Sequence, residues 1–112
     1  MKKPRSKSTR RGPLTVGELR LDTQTRQLTK NGQTMRLAPK LCELLELFMR
    51  YPGQVLDRAF IMDKVWKTKY LGDLRTLEVH VSLLRKIIED NPRKPTYVRT
   101  VRTVGYRFDA ED

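Results

Sequence analysis

The segment Tyr97-Val98-Arg99-Thr100-Val101-Arg102-Thr103-Val104-Gly105-Tyr106-Arg107-Phe108 interleaves three arginines with β-branched and aromatic residues. That composition suits two paired strands, and Thr103 to Gly105 offers a turn between them. The chemistry implied is a grip on anions. A guanidinium presents a planar fork of donors to a phosphate, and a thin arginine-bearing ribbon fits a narrow groove. Arg99, Arg102 and Arg107 are expected on or beside the turn.

A helix just ahead of this ribbon adds a second kind of chemistry. At 100° per residue, Leu77, Val81, Leu84 and Ile88 fall on one side, the mark of a packed stripe. The opposite side carries Arg75, Val79, Ser82 and Lys86, flanked by Thr76 and Leu83. A merely solvated face usually holds more charge and fewer apolar groups. Methyl-bearing Thr76 and Val79, a hydroxyl at Ser82 and cations near both ends are side chains suited to touch base edges and neutralise phosphates, while periodicity alone equally allows a plain exposed or dimerising face.

The elements that must position these groups can be read from the rest of the chain. Short polar–apolar segments at 14–16, 19–22, 26–30 and 33–37 predict a small antiparallel sheet, with Asn31-Gly32 as a tight hairpin turn. Pro39 suits the first position of a helix over 39–50, with Leu41, Leu44, Leu45 and Phe48 as its buried stripe. Tyr51-Pro52-Gly53 stops it. Asp57 is expected to cap a second helix over 58–67, with Ile61, Val65 and Met62 facing inward. A loop over 67–72 follows, and Asp73 is expected to cap the third helix, 74–89.

Composition narrows the class. With 112 residues there is room for one domain and one modest core, and a net charge of +11 points to a polyanionic partner. Residues 1–12 carry six cations and no acid, so the remainder is still basic at +5. Residues 1–13 are expected to be a basic flexible tail or linker, 14–109 the folded domain, and 110–112 an acidic tail. Cys42 is the only cysteine, which excludes an internal disulfide, and with His80 it cannot supply the four ligands of structural zinc. His80 has no nucleophile or metal constellation beside it, so no enzyme and no cofactor is expected. No signal peptide and no membrane span is apparent, and a cytoplasmic protein is expected. No aromatic stacking platform speaks for RNA or single strands.

Several ordered motifs carry a family resemblance. These are Leu37, Leu44-Leu45 and Tyr51-Pro52-Gly53, then Val65-Trp66, Arg75-Thr76-Leu77-Glu78-Val79-His80-Val81 and Leu84-Arg85-Lys86. Thr100-Val101-Arg102 and Val104-Gly105-Tyr106-Arg107-Phe108 complete the set. Together they resemble the OmpR/PhoB family of response-regulator effector domains over about residues 14–108. The resemblance implies an α+β winged helix-turn-helix: N-terminal antiparallel sheet, three helices and a C-terminal hairpin wing. It implies a third helix in the major groove of double-stranded DNA and a wing in the adjacent minor groove.

Carried over position by position, the resemblance implies DNA contacts from Trp66, Arg75, Thr76, Val79, His80, Ser82, Leu83, Lys86, Arg102, Thr103, Tyr106 and Arg107. His80 reads equally as a half-buried packing residue, Trp66 as a core or loop-anchoring aromatic, and Tyr106 as packing under the wing. Arg85 lies near the core boundary, where it can pair with an acid. The chain departs from the family at three places. Ser82-Leu83 stands where many relatives have a basic pair, Thr103 where glycine is common, and Ala38 where a capping threonine is usual.

The function implied is sequence-specific DNA binding by the effector domain of a two-component, phosphorelay transcriptional regulator. A receiver domain in the full-length protein, two copies on a direct repeat, and RNA polymerase or a neighbouring protomer near the 67–72 loop are the implied partners. A protein-interaction module using the exposed Val79/Leu83 face, with incidental basic charge, is the alternative.

Overall fold

The computed structural model describes residues 13–109, so the expected tails over 1–12 and 110–112 lie outside the described residues. The described chain opens with four strands: β1 (Leu14–Val16), β2 (Leu19–Asp22), β3 (Gln27–Lys30) and β4 (Gln33–Arg36). They pair antiparallel in the order β1-β2-β3-β4. Period-two alternation turns Leu14, Leu19, Leu21 and Leu28 into the core, while Thr15, Arg20, Thr29 and Thr34 stand in register on the other face. Asn31 and Gly32 both take positive φ, 53° and 77°, the mirror-image turn that a two-residue hairpin requires. Arg26 and Leu37, expected inside strands, fall just outside them. Arg26 is left-handed at φ 60°, and its carbonyl accepts from Leu37 N at 2.8 Å.

Three helices follow among the described residues: α1 (Pro39–Arg50), α2 (Arg58–Trp66) and α3 (Arg75–Ile88). Ala38 occupies the α1 N-cap without a side-chain bond, as its methyl must. The buried set of α1 is wider than the expected stripe, because this helix packs on α2, α3, β1 and the wing. Cys42, Leu47 and Met49 join Leu44, Leu45 and Phe48 inside, and Leu41 is only half-buried.

Asp57 caps α2 as expected, accepting from Phe60 N at 2.8 Å. Lys67, expected within the helix, instead ends it in the left-handed conformation at φ 57°. Asp73 is not the N-cap of α3. Leu74 holds that place, and the Asp73 carboxylate reaches one residue further to accept from Arg75 N at 3.0 Å.

Two lysines from other elements finish the helices. Lys40 Nζ donates to the Val65 carbonyl at the end of α2, at 2.8 Å. Lys30 Nζ, from the sheet, donates to the Ile88 carbonyl at the end of α3, at 2.6 Å, and pairs with Asp90. Each meets the negative end of a helix dipole with a cation.

The C-terminal hairpin is larger than its own two strands. β6 (Val98–Val101) and β7 (Gly105–Phe108) pair as expected, but β7 also pairs with β5 (Val55–Asp57), giving the order β5-β7-β6. Three residues after a helix stop carry too little periodicity to announce β5, which exists because β7 offers it a ladder. Gly105 permits that approach, since a Cβ there would collide with the Leu56 carbonyl. Inside, Phe48 stacks on Phe108 at 5.9 Å and meets Tyr106 edge-on at 6.4 Å, joining α1 to the wing in one core. The Tyr97 hydroxyl accepts from Glu18 N at 3.0 Å, tying the β1–β2 turn to the residue before β6.

Candidate nucleic-acid interface

The stripe expected to bury α3 does so: Leu77, Val81, Leu84 and Ile88 are at most 1% exposed. The face opposite is open. Val79 is 53% and Leu83 40% exposed, with Arg75, Ser82 and Lys86 exposed around them and Thr76 half-buried at one margin. Glu78 is the one acid on this exposed side of α3.

Arg75 projects at the start of the helix, its guanidinium on both carboxylate oxygens of Asp73 at 3.1 Å. These bonds hold the Asp73 carboxyl below its usual pKa and raise that of Arg75. The pair is solvent-exposed, so it orients the arginine at little energetic gain.

Trp66 and His80 form a joint between α2 and α3, edge to face at 5.1 Å. His80 Nδ1 lies 2.7 Å from the Thr76 carbonyl, which can only accept, so Nδ1 donates and Nε2 is left for another partner. Both rings are half-buried. Packing is therefore their first role.

Arg85 pairs with no acid among the described residues. Its Nε and Nη2 donate to the Val98 carbonyl at 3.0 and 2.9 Å, and Nη2 also donates to Thr100 Oγ1 at 2.8 Å. Its guanidinium carbon lies 5.9 Å from the Tyr106 ring centre, and that of Arg58 lies 5.5 Å away. Tyr106 is thus not a free ribbon aromatic. At 4% exposure it packs beneath the wing with cations about its ring, and burial pushes its phenol pKa up. Burial also lowers the pKa of Arg85.

Of the three wing arginines, Arg102 lies on the turn as expected, while Arg99 and Arg107 lie further back. The turn is built by Arg102, Thr103 and Val104, so Arg102 and Thr103 form the tip. Thr103 sits at φ 64°, the left-handed region where a β-branched residue is strained. Arg107 lies two registers back, directly opposite Arg99. Like charges so placed repel, and Asp109 resolves the conflict. Its carboxylate takes Arg107 Nε at 2.8 Å and Nη2 at 3.0 Å, and Arg99 Nε at 2.9 Å. The Asp109 bonds raise the Arg107 pKa. Among the described residues Arg107 is an occupied cation and Arg102 an open one.

One important residue was missed by motif reading. Glu89, 6% exposed, follows α3 and accepts from the backbone N–H groups of Thr96, Tyr97 and Val98 at 2.8–3.1 Å. It anchors the start of β6 to the end of α3, as Arg85 does one turn earlier. No local pattern could have marked it, because its partners are backbone atoms of another element.

A helix with an open, cation-flanked face beside a strand-built, arginine-tipped wing defines a winged helix-turn-helix. Residues 32–108 match the family model described as "Transcriptional regulatory protein, C terminal". The chain belongs to this family, as an OmpR/PhoB-type response-regulator DNA-binding domain. It is 41% identical over 98 residues to the sensory transduction protein RegX3 of Mycolicibacterium smegmatis, covering 88% of this chain and 43% of the relative. The transcriptional regulatory protein AfsQ1 of Streptomyces coelicolor is 44% identical over 93 residues, covering 83% and 41%. The chain thus spans under half the length of these relatives. Among solved structures, the Klebsiella pneumoniae RstA DNA-binding domain in complex with the RstA box is similar at TM-score 0.79 and 30% identity, covering 87% of this chain and 96% of that one. The DNA-binding domain of Escherichia coli CadC is similar at TM-score 0.77 and 32% identity, covering 90% and 95%.

Proposed function

We propose that this chain binds double-stranded DNA sequence-specifically as the effector domain of a two-component transcriptional regulator. The observation that carries the reading is the hydrogen-bonded coupling of the open α3 helix to the wing. Arg85 fastens α3 to the Val98 carbonyl and Thr100, so the helix and the wing are held side by side. Such preorganisation lets a helix occupy a major groove while the tip enters the neighbouring minor groove.

In this reading Arg75, Lys86 and Arg102 neutralise phosphates, with His80 Nε2 and the Trp66 indole as further backbone contacts. Thr76, Val79, Ser82 and Leu83 face the base edges, and Thr103 shapes the tip. Tyr106 and Arg107 support the wing from within and from its outer face. Phosphate contacts supply most of the affinity, and base contacts supply the choice of sequence. The domain works in the cytoplasm, joined to a receiver in a longer protein. Two copies sit on a direct repeat, and the loop between α2 and α3 is turned toward the polymerase. No helix among the described residues is long and apolar enough to cross a membrane.

Selecting bound duplexes from a random pool with the 112-residue chain tests the reading. A shared motif should emerge, and its affinity should fall steeply as salt rises through counterion release. Failure to enrich any sequence, or affinity indifferent to salt, would sink it.

A further inference from the structure

The open face of α3 is unusual in what it lacks. Ser82 and Leu83 leave its middle without a cation or an amide that could take a base bidentately. What stands there instead is an apolar row. Val79 and Leu83, four residues apart, project on the same side at 53% and 40% exposure, and Thr76 adds a half-buried β-branched side chain one turn earlier. Cations bracket the row: Arg75 before it, Lys86 after it, and Arg102 on the wing tip. An apolar protein partner would leave Lys86 and Arg102 unmatched, whereas Arg75 already has Asp73. A polyanion whose floor carries methyl groups matches both features.

We propose that Val79 and Leu83 read the C5-methyl groups of thymines, making methyl recognition a main determinant of this domain's sequence choice. Thymine is the one base whose major-groove edge presents a methyl group, so apolar side chains discriminate it without hydrogen bonds. Helical geometry sets the spacing. Val79 and Leu83 lie about 6 Å apart along the axis, so a helix lying in the groove sets them over the same or neighbouring base pairs. The preferred site should therefore hold thymines within neighbouring base pairs, on either strand. Ser82, between them in sequence, adds a hydroxyl that accepts or donates and so adds little discrimination of its own.

The inference rests on the DNA-binding reading, and the test separates the two. The probe is the duplex enriched by selection, remade with deoxyuridine in place of single thymines. That change removes one methyl group and keeps the pairing and the O4 acceptor. Each contacted methyl should be worth about fourfold in affinity, lost at one or two neighbouring positions and nowhere else in the site. In Val79→Ala and Leu83→Ala the penalty should shrink at one position each, and thermal melts should show both variants folded. Uridine tolerated at every position, in a duplex still preferred over random DNA, would overturn methyl reading and leave the DNA-binding function standing. A penalty that persists undiminished in both variants would also overturn it, because other side chains would then hold the methyls. If no duplex is enriched at all, the function itself fails and this inference with it.

Discussion

Arg85 on α3 and Val98 at the start of β6 are joined by two hydrogen bonds, Nε and Nη2 to one carbonyl oxygen at 3.0 and 2.9 Å. This contact links α3 to the ribbon beside it. Arg85→Ala is expected to cost about 1.5–3 kcal/mol of stability and to weaken DNA binding beyond what the lost charge explains. Arg85→Lys should restore little, because an ammonium cannot fork to the carbonyl and Thr100 together. Urea denaturation beside binding titrations measures both effects. Full recovery in the lysine variant would show that charge, not geometry, is what matters there.

The two arginines of the wing should differ. Arg102 at the tip has no carboxylate partner among the described residues, whereas Arg107 is held by Asp109. Arg102→Ala should reduce the slope of log affinity against log salt by about 0.9, the share of one phosphate contact. Arg107→Ala should leave that slope near its original value while loosening the hairpin. Titrations on one duplex at several salt concentrations decide between them. The opposite ranking would place Arg107 on the DNA.

Thr103 at φ 64° predicts a gain from the simplest residue. Thr103→Gly relieves a left-handed strain of about 1–2 kcal/mol and adds glycine's entropy cost of about 0.5–1 kcal/mol. A stability increase of up to about 1.5 kcal/mol is expected from thermal melts at neutral pH. A loss of stability would mean that the threonine side chain supports the tip.

Cys42 should behave as a reporter of unfolding. Burial pushes its thiol up, with Glu46 and Glu43 adding to the effect. The thiolate is the reactive form, so a thiol reagent at neutral pH should label the native chain far more slowly than the urea-unfolded one. The unfolded chain loses this proton first, near the ordinary thiol value of about 8.5. Stability from this group is therefore flat below that value and falls as pH rises from there toward the higher folded-state value. Rapid labelling of the native chain at neutral pH would contradict the buried site.

Much of the molecule was legible in its residues because periodicity is local. The α3 stripe of Leu77, Val81, Leu84 and Ile88, the Asn31-Gly32 hairpin and the Asp57 cap each depend on a few neighbouring side chains, and each is found in the fold. The open α3 face follows from the same arithmetic, since whatever does not point inward must point out. The arginine-bearing ribbon was equally visible. Which of its arginines is open to a ligand was not.

That choice depends on partners distant in sequence or made of backbone. β5 exists only because β7 offers it hydrogen bonds, and Gly105 lets the two approach. The place of Arg107 follows from strand register, which sets it opposite Arg99 and within reach of Asp109. Arg85 finds a carbonyl thirteen residues away, and Glu89 gathers three backbone N–H groups. The sequence by itself determined the elements, the buried stripe and the basic character of this domain, because these follow from spacing and composition. Tertiary structure alone decided which cations stay open and how rigidly the wing is held to the helix, because hydrogen bonds and ion pairs depend on three-dimensional proximity.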